Sequence, residues 1–401
     1  MRVPLPWLFA IFLLVTTDLM RGAQQGGSFE SLDRRARSGA RLNVVFFGGP
    51  FTEGVGLDDR KDSWRARFQD FLRQHYPKAS FDFQVISMGD AGSKRAMFQT
   101  SKLVSDKRPD LVFLDFLIDD GIQGQNRDTL AAYESIVSDF TQAGVPIMQV
   151  FPGIRAVQGQ FWKPVMPQRL RDYLEFVTLY RTGVGESYQS LHQLLESKQY
   201  TMDDIWPDSA KYPTSIGHEL IFASLRRGYL RAVEQKRQGM FPYEPVFARL
   251  YQSRREITLA DLPLPEGWSN SPASVSTSPG SGMPAGEVAE WDAKENKTVR
   301  SIRLDFTGTM VGVSGEADSE SLKFKVMIDG KPVPPPESTD KKKHALWTIP
   351  SDESATERTG FWLELTSQLA PGPHTLELTP VTADSGRIGQ LRLGSIFIAG
   401  E

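Results

Sequence analysis

Three kinds of side chain in this sequence of 401 residues could do chemistry, and none is a thiol, because cysteine is absent. Thr52, Ser93 and Ser209 carry hydroxyls that could attack an acyl carbon if a neutral imidazole took the proton, and His218 is placed to act as that base. A second group is acidic. Glu53, Asp90, Asp119 and Asp120 follow expected strand ends or the turns beside them, and converging carboxylates are what hard cations take as ligands. The third is aromatic: Trp347 and Trp362 could offer flat apolar faces to a sugar ring. Each type also has a plainer role. Thr52 can stabilise a turn, Ser93 and Ser209 can cap helices or turns, and His218 can pack or cap where the last helix of its domain opens. Loop acids can be solvated or paired, here with Lys94 or Arg95, and aromatics in a small sandwich are core residues.

The elements that must position these groups are read from periodicity. Leu42 to Phe47 is a buried-strand run that empties into Gly48-Gly49, Trp64 to His75 has helical spacing, and Phe81 to Ile86, Leu111 to Ile118 and Val145 to Phe151 are further strands. Strands alternating with helices at these intervals predict an α/β domain, a parallel sheet with helices on both faces. Helical periodicity resumes over Arg169 to Gln199 and Gly217 to Gln235. A bridging segment then leads into a Ser/Pro/Gly-rich linker at Ser269 to Gly286, and from Glu287 the runs shorten and alternate between turn signals such as Asp329-Gly330 and Pro371-Gly372. The expected division is a leader over 1–23, an α/β domain over 42–236, a bridge and linker over 237–286, and an all-β sandwich over 287–401.

The amino-terminal stretch is a basic end, Met1-Arg2, an apolar run from Leu5 to Val15, and a small-residue site near Gly22-Ala23, the pattern of a secretory signal peptide. A secreted or periplasmic protein follows, anchored to a membrane only if that signal is retained. Without disulfides, such a protein is held by its cores alone. A formal net charge of −3 and the lack of a basic stripe with interleaved aromatics exclude nucleic acid as a partner. The basic run Lys341 to His344 reads as a solvated loop.

Four segments, in order, carry a resemblance. Val44 to Gly54, with Gly48-Gly49-Pro50-Phe51-Thr52-Glu53-Gly54 after the strand, resembles the first block of the SGNH/GDSL hydrolases. That block is a strand followed by Gly-Asp/Gly-Ser-x-Thr-x-Gly; Thr52 and Gly54 match it, and the family's serine falls on Pro50. Ser87 to Gly92 has the placement of the second block, with Gly92 as its oxyanion-hole glycine. Leu117-Ile118-Asp119-Asp120 stands where the third block has Gly-x-Asn-Asp, so its asparagine becomes Asp119. Tyr212 to His218 keeps the spacing of the last block, which puts the family's aspartate on Ser209 and its histidine on Tyr212; a rival register, with an insertion, puts the pair on Asp203 and Trp206, and neither restores a histidine.

The resemblance implies an SGNH-type, flavodoxin-like sheet, an ester-hydrolase ancestry that needs no cofactor, and a C-terminal module similar to the β-domains of secreted bacterial carbohydrate-active members. It also implies that the triad is replaced. Proline at 50 removes both the nucleophile and a backbone N–H donor, a tyrosine at 212 holds its proton at neutral pH, and a carboxylate at 119 accepts where the family donates. The expected function is therefore non-catalytic binding of an extracytoplasmic glycan or acylated small molecule. The alternatives are an active carbohydrate esterase or acyl hydrolase with a rearranged site built on Thr52, Ser93 and His218, and a structural or scaffold protein of the envelope.

Overall fold

The computed structural model describes residues 25–121, 126–153, 166–274, 286–296, 298–335, 346–349, 358–382 and 389–400. The expected signal peptide, most of the linker and the Lys341 to His344 run lie outside the described residues. The chain divides into two compact units, one ending at Ala248 and the other beginning at Arg249.

In chain order the first unit contains β1 (Gln25–Ser28), α1 (Phe29–Arg37), β2 (Arg41–Gly48), α2 (Pro50–Glu53), α3 (Trp64–His75), β3 (Ser80–Ser87), α4 (Gly92–Ala96), α5 (Thr100–Lys107) and β4 (Leu111–Asp115). It continues with α6 (Arg127–Gln142), β5 (Ile147–Phe151), α7 (Gln168–Leu179), β6 (Gly183–Glu186), α8 (Tyr188–Glu196), α9 (Met202–Ile205), α10 (Ser215–Glu234) and β7 (Gln238–Met240). Five strands pair in parallel in the order β3-β2-β4-β5-β6, the flavodoxin-like winding. The apolar run of β2 reflects burial on both faces, as a central parallel strand requires. Its Val44 and Phe46 join Phe68, Leu72, Leu225 and Tyr229 in the core beneath α3 and α10. On the opposite face, the Phe47 ring meets Phe140 of α6 edge-on at 6.3 Å.

Two parts of this unit differ from expectation. The fifth strand, β6, lies inside a stretch read as continuous helix; it is four residues long and half glycine, so it carries no strand signature. The glycines are there for contact: a Cβ at Gly183 would sit 2.2 Å from Met148 Sδ, and one at Gly185 2.5 Å from the Leu225 side chain. The expected bridge over 237–286 is divided between the units. Its start forms β7, which pairs with β1, and its later residues supply two strands of the sandwich.

The second unit comprises β8 (Arg254–Thr258), β9 (Trp268–Pro272), β10 (Glu287–Asp292), β11 (Ile302–Thr307), β12 (Met310–Ala317) and β13 (Lys323–Ile328). After these come β14 (Lys331–Pro332), β15 (Leu346–Trp347), β16 (Thr359–Thr366), β17 (Pro373–Val381) and β18 (Gln390–Ala399). One antiparallel sheet runs β16-β12-β18-β10-β9 with β8 also on β18; the other runs β11-β17-β13-β14 with β15 also on β13. Trp291, Val313, Phe324, Trp347, Phe361 and Leu393 fill the space between them. Among the described residues, no helix is long and apolar enough to cross a membrane.

The first unit closes on a buried carboxylate. Glu134 of α6 is fully buried and accepts from three successive backbone N–H groups: Val246 at 2.9 Å, Phe247, and Ala248 at 2.8 Å. The Tyr180 hydroxyl adds a fourth bond at 3.0 Å. Glu134→Ala strips these donors of their acceptor and should cost about 3 kcal/mol in urea unfolding. Glu134→Gln, which keeps one acceptor oxygen, should cost less, and equal losses in the two variants would count against the carboxylate as the clamp.

Candidate functional site

Strand order reverses between β2 and β4, because the chain leaves β2 towards β3 on one side and returns to β4 on the other. Open α/β sheets bind ligands at the carboxyl ends of the strands beside such a point. Here β2 ends at Gly48, Gly49 follows in extended conformation, and Pro50 opens α2 at a helix position where proline's fixed φ fits and its missing N–H costs nothing to the helix. No hydroxyl and no amide proton is therefore present at residue 50.

The chain after β4 folds back over this turn. A Cβ at Gly48 would lie 2.5 Å from the Asp115 carbonyl oxygen, and one at Gly49 would lie 1.9 Å from Asp119 Oδ2. Gly92, at φ +63°, opens α4 with no room for a Cβ, which would meet Asp120 Oδ1 at 2.5 Å. The structure thus brings Asp119 and Asp120 against Gly49 and Gly92 at the strand end where Pro50 opens α2, and the group nearest the turn is a carboxylate. Such a group repels a developing oxyanion.

The hydroxyls near the cleft are spoken for. Thr52 is fully buried and donates to Asp115 Oδ2 at 2.7 Å. Ser93 donates both its backbone N–H, at 2.7 Å, and its hydroxyl, at 2.9 Å, to Asp120 Oδ1. Tyr173 donates to the other oxygen at 2.5 Å. Burial pushes Asp115 up to about 7, against the lowering pull of Thr52 and a weaker one from the Trp64 indole, which closes no hydrogen bond of regular geometry. Burial likewise pushes Asp120 up to about 6, opposed by its bonds to Tyr173 and Ser93 and by the Arg169 charge.

His218 is fully buried. Its Nδ1 accepts the backbone N–H of Trp64 at 3.1 Å, so it caps the first turn of α3, and its ring stacks on Phe51 at 4.6 Å. Burial, with Arg67 nearby, lowers its pKa to about 3. With the lone pair of Nδ1 engaged and the proton on Nε2, the ring has no free base to offer. Ser209 sits on an exposed turn, whereas Tyr212 is packed into the core cluster, within ordinary contact range of a Cβ at Gly56. A Ser93 or Thr52 nucleophile paired with His218 is not assembled.

Two further groups of expected site residues are placed differently. Trp347 is core, 2% exposed, with its indole N–H on the Val333 carbonyl at 2.8 Å, so it cannot serve as a sugar platform. Phe361 also points inward, which leaves Trp362 on the outer face of β16, where it packs over Gly312. Among the described residues, no three acidic or histidine side chains converge as a metal site would require; Glu53 lies on α2, Asp120 turns to Ser93 and Tyr173, and the Asp90 side chain lies outside the described set. The residues missed from sequence are Asp115 and Tyr173. Asp115 had a signal, since it is the one charge in the apolar run Leu111 to Leu117.

Both buried acids make stability depend on pH. Unfolded, an aspartate releases its proton near 3.8, whereas folded Asp115 holds it to about 7, so the native state binds more protons between those values. Stability is then fully present at low pH and falls as pH rises from about 4 to 7, by up to roughly 4 kcal/mol for this group. Urea unfolding at a series of pH values should show that fall, and Asp115→Asn should shrink it; an unchanged slope in the variant would remove Asp115 as its source.

No family model and no curated protein matches the chain. Among solved structures it is similar to a two-domain esterase (CEX) active on acetylated mannans. The form co-crystallized with mannopentaose matches at a TM-score of 0.67 and 16% identity, over 95% of this chain and 97% of that one. A second structure of that esterase matches at 0.66 and 15% identity, over 94% and 99%. This chain, with its parallel-sheet unit and its β-sandwich unit, thus has the fold of that two-domain esterase.

Proposed function

We propose that this chain is an exported, non-hydrolytic glycan-binding protein that uses the strand-end cleft of an esterase fold without its chemistry. The observation that carries the reading is the polarity of that cleft. Where acyl transfer needs a nucleophile and hydrogen-bond donors, the chain has Pro50, with neither hydroxyl nor N–H, and the Asp119 carboxylate lying against Gly49. Losing a single oxyanion donor costs about 100-fold or more in rate, and groups that act as a unit do not compensate for one another. A carboxylate suits the opposite task, accepting hydrogen bonds from the hydroxyls of a bound sugar. That the ligand is a glycan is supported by the fold-level likeness to an esterase seen with mannopentaose.

An active esterase with a rearranged site has one feature in its favour, the Thr52 hydroxyl on an aspartate that titrates near neutrality. Both groups are sealed from solvent, which weighs against substrate reaching them.

The test is ester hydrolysis by the purified chain on p-nitrophenyl acetate and acetylated mannan, together with calorimetric titration of mannopentaose. No turnover is expected, and Asp119→Ala should weaken mannopentaose binding several-fold. Turnover that disappears in Thr52→Ala would replace this reading with the esterase. The combined variant Pro50→Ser, Asp119→Asn, Ser209→Asp, Tyr212→His should gain detectable activity if the cleft descends from a hydrolase site.

A further inference from the structure

A cleft of about 600 Å³ opens at one rim of the β-sandwich, walled by Arg255, Arg303, Asp305, Asp329, His374 and Thr375. Its construction centres on His374. The ring's Nδ1 is 2.7 Å from Asp329 Oδ2 and its Nε2 is 2.7 Å from the Ala370 carbonyl oxygen. A neutral imidazole has one N–H and can satisfy only one of these acceptors, so the two bonds together call for the imidazolium. The ring thereby ties the β13–β14 turn, where Asp329 holds a left-handed conformation at φ 53°, to the loop that precedes β17. The same turn is held by the Thr375 N–H on Asp329 Oδ1 at 2.9 Å. Asp305 takes the Thr375 hydroxyl at 2.6 Å on Oδ1.

The lining selects a ligand class. Two guanidinium groups and the imidazolium face two carboxylates, so charge is nearly balanced and no strong field favours a polyanion or a cation. Donors on Arg255 and Arg303 share the wall with acceptors on Asp305 and Asp329, and the wall, though it includes Phe306 and Pro373, is more polar than apolar, which disfavours a lipid. Hydroxyl groups, which both donate and accept, match such a wall. We propose that this rim cleft is a saccharide-binding site, separate from the strand-end cleft, in which Arg303 and Asp305 contact the sugar and His374 acts as a positioning residue.

The positioning role gives the site a pH signature. The hydrogen bond from His374 to Asp329 raises the ring's pKa, against the opposing effect of burial and with further help from Ala370, while His374 and then Thr375 lower that of Asp329, with Lys331 adding its charge. The other charged groups on the cleft wall are Arg255, Arg303 and Asp305, and the Phe306 ring covers His374 at 5.6 Å. The clamp is complete below the ordinary histidine pKa and loses one of its two bonds as pH rises through the raised value.

The experiment is calorimetric titration of mannopentaose into the full chain at pH 6 and pH 8.5, with circular dichroism confirming that each variant is folded. Arg303→Ala and Asp305→Ala, both on an exposed strand face, should each weaken binding about tenfold. His374→Gln should weaken binding at pH 6 and erase the difference between the two pH values. If the rim variants bind like the wild type while Asp119→Ala weakens binding, the rim proposal falls and the strand-end reading stands. If only the rim variants weaken binding, the strand-end reading falls instead; if the wild type does not bind, both fall.

Discussion

Everything at the strand-end cleft depends on how closely two backbone segments approach. Gly48-Gly49 lie against the chain that runs from Asp115 to Asp120, with no space for a single Cβ on either glycine. That closeness fixes where α2 begins, holds Thr52 over Asp115, and sets Asp119 across the mouth of the turn. Asp120 extends the constraint by binding the start of α4 and the Tyr173 ring together. Three carboxylates within six residues are an expensive way to build a loop in a low-dielectric site. Two of them are accommodated by multiple hydrogen bonds and raised pKa values.

The same closeness frames the functional question. In a hydrolase the turn after the first strand must present a nucleophile to solvent with donors converging on the reacting carbonyl. Here the turn after β2 carries Pro50, and the Asp119 carboxylate lies against Gly49. The Thr52 and Ser93 hydroxyls are turned inward as donors to Asp115 and Asp120, the His218 imidazole caps a helix, and the carboxylate beside the turn is half-buried. The fold and the reactive groups have separate physical requirements, so the fold by itself does not decide the chemistry.

Much of this was legible in the sequence. The apolar runs of β2 and β4, ending in glycine or acid, announced a parallel sheet and its ligand-bearing edge, and the helical spacing of Trp64 to His75 coincides with α3. What stayed hidden was hidden for stated reasons. β6 is two glycines in four residues, kept small by Met148 and Leu225. β12 reads Met-Val-Gly-Val-Ser-Gly-Glu-Ala yet is buried throughout, because Glu316 is paired with Arg392 at 2.9 Å and not solvated. Trp347 and Trp362 could not be sorted by type, since only the register of β15 and β16 decides which ring faces the core. His218 matched a base by identity, and only the Trp64 amide 154 residues away in sequence reveals it as a cap.

The Glu134 clamp bears on where the α/β unit ends as an independent object. Periodicity stops with α10, and a fragment trimmed there would keep the carboxylate inside the protein while discarding the amides of residues 246–248 that hold it. Twelve more residues, from Arg237 to Ala248, carry almost no hydrophobic periodicity, yet they contain the unit's closing hydrogen bonds. A polypeptide released at Ala248 would leave with its buried carboxylate met by its own backbone, whereas one released at Lys236 would have to let water in to replace those three donors.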